Sequence, residues 1–218
     1  MDDVKITILY DNTSTDNNLE SDWGFSCFIE AYNKKILFDT GGNGLILMKN
    51  MEKLGIDPLS ISDVFLSHNH FDHIGGLSYF LNANRDVTVH VPPSIKGIKW
   101  AKKVISYDKP LQIFDKIFTT GELHNIEQSM LIETKKGLIL IVGCAHPDME
   151  EILRVSSHFG EVKYIIGGLH GFNKFHLIKS LDFICPVHCT QHIEEIKFLY
   201  PNKFIAGGVG KVIDFGKF

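Results

Sequence analysis

Phe65-Leu-Ser-His68-Asn-His70-Phe-Asp72-His73-Ile-Gly-Gly76 is the stretch on which the reading of this chain turns. The apolar run over 63–67 reads as a strand that gives out into a loop and a helix start. Side chains on an extended chain alternate faces, so His68 and His70 point the same way and can share one metal. Asp72 and His73 lie on the turn just beyond, displaced enough to hold a second metal nearby. Imidazole nitrogens with one hard carboxylate suit zinc best, with iron or manganese also open. Isolated histidines usually sit in a core or on a surface. Three histidines and an aspartate packed between a strand and Gly75-Gly76 point instead to a metal centre. The two glycines are expected to let the backbone turn tightly behind the ligands.

Outward from this cluster, the pattern predicts strands over 5–10, 25–31 and 35–39, the last two joined at Tyr32-Asn33-Lys34. A polar, turn-rich loop fills 11–22, and an amphipathic helix over 45–54 stops at Gly55. Downstream come a short helix over 77–81 and strands over 87–91, 129–134 and 138–142. A helix over 149–157, strands over 164–167 and 183–186, a helix over 191–199 and a strand over 203–206 complete the series. No linker rich in Gly, Ser or Pro divides 1–218, so the expectation is one layered α/β domain with mixed sheets.

Composition sets the outer limits. With 218 residues, 44% hydrophobic and 22% charged, the chain is long enough for a sizeable core and is not of disordered type. A net charge of −4 lacks the basic surplus of a dedicated nucleic-acid binder. The apolar stretch over 137–145 is too short to span a bilayer, so no membrane partner is expected. The opening Met1-Asp-Asp-Val-Lys5 has no secretion-signal pattern, and a cytoplasmic location is the expectation. Cys27, Cys144, Cys185 and Cys189 form no CxxC pair and are expected as free thiols.

The motif HxHxDH after an apolar strand resembles the signature of the metallo-β-lactamase superfamily, and three further segments fit that resemblance in their order along the chain. Ile36-Leu-Phe-Asp39-Thr-Gly-Gly is similar to a strand-turn motif whose aspartate supports the ligands from behind. Ile141-Val-Gly-Cys-Ala-His146 and Pro186-Val-His188 resemble strand ends that deliver one further ligand to each ion. Asp11-Asn12, Gly143-Cys144-Ala145-His146, Gly167-Gly168-Leu169-His170 and His188-Cys189-Thr190 are closest to one branch. That branch is the superfamily II metal-dependent hydrolases, which includes the dihydropterin–ribofuranosylaminobenzene phosphate synthases. The resemblance implies an αββα sandwich, two mixed sheets between outer helices, around two divalent ions. His68, His70 and His146 would hold one ion; Asp72, His73 and His188 would hold the other. Asp72 would also orient a water. Most members place a bridging aspartate where this chain has His170, which leaves His170 as a terminal ligand, a substrate contact or an acid/base group.

Other candidates carry less. His124 sits in a pocket or in a polar turn, and His90, His158, His176 and His192 have no ligand-like context. Cys144 and Cys189 read as small buried fillers. Asp39-Thr-Gly41-Gly42-Asn-Gly44 lacks the third glycine of a dinucleotide loop, and Gly24-Phe-Ser26-Cys-Phe28 is no nucleophile elbow. Three functions follow from different classes. The first is a metal-dependent hydrolase of a small anionic substrate carrying a phosphate. The second is a synthase joining a dihydropterin diphosphate to an arylamine, and the third a non-catalytic metal-dependent binding or redox protein. Trp23, Phe25, Phe172 and Phe175 offer rings on which a flat substrate could stack, and Lys174 a charge for its phosphate.

Overall fold

The protein's structure, a computed structural model, describes residues 4–217. The first sheet contains β1 (Val4–Tyr10), β2 (Ser26–Ala31), β3 (Lys34–Phe38), β4 (Asp63–Phe65), β5 (Thr88–Val91) and β6 (Lys103–Ser106). The second contains β7 (Leu111–Phe114), β8 (Ile117–Thr119), β9 (Met130–Thr134), β10 (Gly137–Val142), β11 (Val162–Gly168) and β12 (Phe183–Val187). The chain then returns to the first sheet through β13 (Val212–Asp214), giving the orders β13-β1-β2-β3-β4-β5-β6 and β12-β11-β10-β9-β8-β7. Each sheet is antiparallel at one end and parallel at the other, with the change at β3 and at β10. Both sheets are therefore mixed, as the sequence predicts.

Burial explains the strand compositions. Ile139 and Ile141 of β10 join Ile6, Ile29, Ile36 and Phe38 of the first sheet in the core between the sheets. Leu138, Leu140 and Val142 point the other way, onto Met149 and Ile152 of α4 (Met149–Ser156) and Ile196 of α5 (Ile193–Leu199) once α1–α3 are counted. Those three are α1 (Gly44–Lys53), α2 (Phe71–Ile74) and α3 (Leu77–Ala83). Leu47 and Met51 of α1 and Phe80 of α3 cover the outer face of the first sheet. A strand covered on both faces needs apolar residues at every position, which is why 138–142 shows no alternation. The result is a helix–sheet–sheet–helix stack.

Several expectations on strands need correction. Residues 203–206 form no strand, only an isolated bridge between Ile184 and Phe204. β6 and β7 escape the pattern because they are largely exposed edge strands, and β8 and β13 because each has only three residues. No helix among the described residues is long and apolar enough to cross a membrane.

Candidate metal centre

The chemistry-bearing residues collect at the carboxyl ends of strands from both sheets, where helices or loops begin. Asp39 follows β3, the 66–73 segment follows β4, Cys144 and His146 follow β10, His170 follows β11, and His188 follows β12. Backbone strain accumulates here. Asp39, Ala145, His170 and His188 all adopt positive φ, at 53°, 61°, 46° and 51°. Such conformations persist only where the surroundings enforce them.

Four overlapping groups of side chains among the described residues have candidate ligand atoms within 4.8 Å of one another: His68 with His70 and His146, Asp72 with His73 and His188, His68 with His73 and Cys144, and Cys144 with His188 and Cys189. The six residues singled out as ligand candidates in the sequence all lie within these groups, together with Cys144 and Cys189. His68 Nε2 and His70 Nδ1 lie 3.0 Å apart. Two nitrogens on one tetrahedral zinc would sit about 3.3 Å apart, given zinc–nitrogen bonds of about 2.0–2.1 Å. Nε2 of His146 is buried without a hydrogen-bond partner among the described residues, and Nε2 of His188 has only the Asp72 carboxylate beside it, at 3.2 Å. A cation between these atoms would supply the missing partner, so the donor set fits divalent metal binding.

Asp39 ties the groups together. It is fully buried, and its Oδ2 accepts from His73 Nδ1 at 2.7 Å and from Ser67 Oγ at 2.6 Å. Ser67 Oγ, its proton spent on Asp39, accepts from His68 Nδ1 at 2.9 Å. Both imidazoles then carry their proton on Nδ1 and present Nε2 outward. Burial pushes the Asp39 carboxyl up to about 8, against the opposing Ser67 hydrogen bonds. Burial holds the His68 imidazole far below its usual range, with neighbouring imidazoles adding to the effect. His146 falls to about 4 for the same two reasons. These rings are neutral, as metal ligands must be.

Asp72 is held from the side. Its Oδ2 accepts from Trp23 Nε1 at 2.8 Å and lies 3.2 Å from His188 Nε2. Burial would raise this carboxyl, but the His188 contact and the His73 and His188 charges hold it well below the usual range. His188 is clamped at three points. Its N–H donates to Asp11 Oδ1 at 2.8 Å, its carbonyl accepts from Asn12 Nδ2 at 2.9 Å, and its Nδ1 meets Asn12 Oδ1 at 3.1 Å. Gly24 must be glycine: a Cβ there would stand 2.6 Å from the Asp72 carbonyl oxygen.

The glycine pair after His73 corrects an expectation. Gly75 has φ −61° and Gly76 φ −82°, values open to any residue. Glycine is needed for close approach instead, since a Cβ at Gly76 would meet Thr40 O at 2.2 Å.

Glu127 is the functional residue the sequence reading missed. Fully buried, it accepts backbone N–H groups from Cys144 (2.9 Å), Ala145 (3.2 Å) and His146 (2.9 Å). Burial raises it to about 7, against those hydrogen bonds. It thereby fixes the loop that carries His146. A lone acid just before the buried strand β9 was the available signal.

Other candidates fall outside the ligand groups. His170 is exposed, its ring centred 5.1 Å from His146, and it lines a cavity of about 210 Å³ with His146, Phe172 and Lys174. Among the described residues it joins no group of three candidate ligands. His124 occupies an exposed turn at φ 52°. His90 is buried between Asp63 and Tyr107 rather than on the surface, because both of its ring nitrogens find partners at 2.8 Å. Phe25 is core and Phe172 is buried, whereas Trp23 is exposed over His188 at 4.9 Å. Lys174 pairs with Asp148 (3.2 Å) and Glu150 (2.6 Å), so its charge is already engaged. All four cysteines are free and buried.

The fold is that of the metallo-β-lactamase structures, and residues 24–122 match the family model described as "Metallo-beta-lactamase superfamily". A curated relative, 7,8-dihydropterin-6-methyl-4-(β-D-ribofuranosyl)-aminobenzene-5′-phosphate synthase of Methanocaldococcus jannaschii, is 28% identical over 288 residues, covering 99% of this chain and 98% of the relative. Uncharacterized protein MJ0448 of the same organism is 29% identical over 259 residues, covering 95% and 99%. Among solved structures, Tm1679, described as a metal-dependent hydrolase of the β-lactamase superfamily, superposes with a TM-score of 0.75 at 23% identity, covering 97% and 98%.

Proposed function

We propose that the protein is a metal-dependent hydrolase with a dinuclear centre, acting on a small anionic, phosphate-containing substrate. The observation that carries this is the pair of adjacent three-residue candidate ligand groups, one of them containing the Asp72 carboxylate. Divalent cations at such a site supply Lewis acidity toward a phosphoryl oxygen and make a water nucleophile available at neutral pH. The chain's own residues do the rest. Asp39 and Ser67 hold His73 and His68 in one tautomer, and Glu127 fixes the backbone before His146. Asp72, steadied by Trp23, orients the attacking water. His170, at the rim of the cavity beside His146, delivers a proton to the leaving group. Trp23 offers its exposed ring to a flat substituent.

A second reading has comparable support. The relative named as a synthase aligns along almost the whole chain, so an arylamine could replace water as nucleophile, with diphosphate leaving. One experiment separates the two. The zinc-loaded protein is given a pterin diphosphate ester with and without an arylamine. Release of diphosphate that does not need the amine supports hydrolysis; release that requires the amine and yields a C–N-linked product supports the synthase. No turnover of phosphate esters or diphosphates in either arm refutes both.

A further inference from the structure

We propose that Cys144 is itself a ligand of the metal centre, its sulfur reaching the ion that Asp72, His73 and His188 surround. The proposal rests on the metal-centre reading above and adds a donor to it. Cys144 Sγ lies 3.1 Å from His73 Nε2, the ring nitrogen left free when Asp39 takes Nδ1. The same sulfur closes a group with His68 and His73 and a second with His188 and Cys189, all ligand atoms within 4.8 Å. It therefore borders both sets of ligands.

The other cysteines show what an ordinary buried filler looks like. Cys27 and Cys185 lie in the apolar core between the sheets, and neither joins a ligand group. Cys144 faces imidazole nitrogens and another sulfur instead. Its place is fixed from behind. Its N–H donates to Glu127, and close packing holds the adjoining strand end, where a Cβ on Gly168 would stand 2.4 Å from the Gly143 carbonyl oxygen. Cys189 Sγ lies 3.2 Å from Cys144 Sγ as its hydrogen-bond donor. That spacing is well beyond the roughly 2.05 Å of a disulfide bond. In this arrangement Cys189 positions the ligand, and Cys144 binds.

The proton balance is simple. A coordinating thiol is deprotonated. The Cys144 proton, directed toward His73 Nε2 in the metal-free chain, leaves to solvent as both atoms turn lone pairs to the cation. One soft sulfur among nitrogens and a carboxylate selects zinc, cobalt or iron over magnesium or calcium.

Cobalt(II) reconstitution tests this without reference to turnover. The wild-type protein should show a near-ultraviolet thiolate-to-cobalt charge-transfer band beside the visible d–d bands. Cys144→Ser should lose the near-ultraviolet band, and Cys189→Ser should keep it. Should Cys144→Ser fail to fold, X-ray absorption on zinc-loaded wild-type protein decides, with a sulfur scatterer expected at about 2.3 Å. Intense d–d bands with no thiolate band, a band that survives in Cys144→Ser, or zinc without a sulfur neighbour would overturn the proposal. Absence of every cobalt band would overturn the metal centre as well, so the two failures are told apart by the d–d bands.

Discussion

The two ligand groups are built differently. His68, His70 and His146 are imidazoles alone, and His70 is exposed. In the other group every member has a neighbour that orients it: Trp23 for Asp72, Asp39 for His73, Asn12 for His188. The first group depends on Ser67 for His68 and on the backbone cradle that Glu127 provides before His146; in the second every member has its own side-chain partner. What this teaches is that the two positions should fail separately when their supports are removed, although Asp39, which touches both, should not respect the division.

Substitution of Asp72 should have the largest effect. Asp72→Ala removes the carboxylate of the second group and leaves the all-imidazole group intact. Turnover should fall roughly a hundredfold or more, as when metal control is lost. Steady-state assay of the zinc-loaded variant checks this, and unchanged turnover would refute the role. Asp39→Asn comes next. An amide cannot serve both Ser67 and His73 as the carboxylate does, and metal affinity should drop about 10–100-fold at both positions. Competition titration with a chelating dye would show two weakened sites; one weakened site would restore the separation.

Glu127→Gln should act on one side only. The amide presents a donor toward backbone N–H groups, leaving at least one of them unpaired at a cost of about 1–3 kcal/mol. The melting temperature of the metal-free protein should fall, and the weaker of its two metal affinities should be the one lost with His146. Smallest of all is Lys174→Ala. Its pairs with Asp148 and Glu150 are exposed and screened by solvent, and the engaged ammonium has little left for a substrate phosphate. Binding of a phosphate ester should change less than in any other variant; a large loss would show that Lys174 leaves its partners when substrate enters.

The legibility of these features in the sequence follows from how local each one is. His68, His70, Asp72 and His73 sit within six positions, so their spacing alone groups them, the first two by alternation and the others on the turn just beyond. His146, His188 and Asp39 are far away in the chain and were reached through the resemblance. The strands of the covered core, such as 138–142, announce themselves by continuous apolar runs, whereas exposed edges such as β6 and β7 do not. Glu127, the Trp23–Asp72 hydrogen bond and the meeting of Cys144 with His73 arise only from tertiary packing. Residues 203–206 misled because a short apolar run resembles a strand whether or not a neighbour pairs with it.

The most direct test of the account is metal stoichiometry, read by elemental analysis of zinc-reconstituted and desalted protein. Two separately supported ligand groups predict two ions per chain in the wild-type protein and about one in Asp72→Ala. A wild-type protein that binds none, or an Asp72→Ala variant that still holds two, would contradict it.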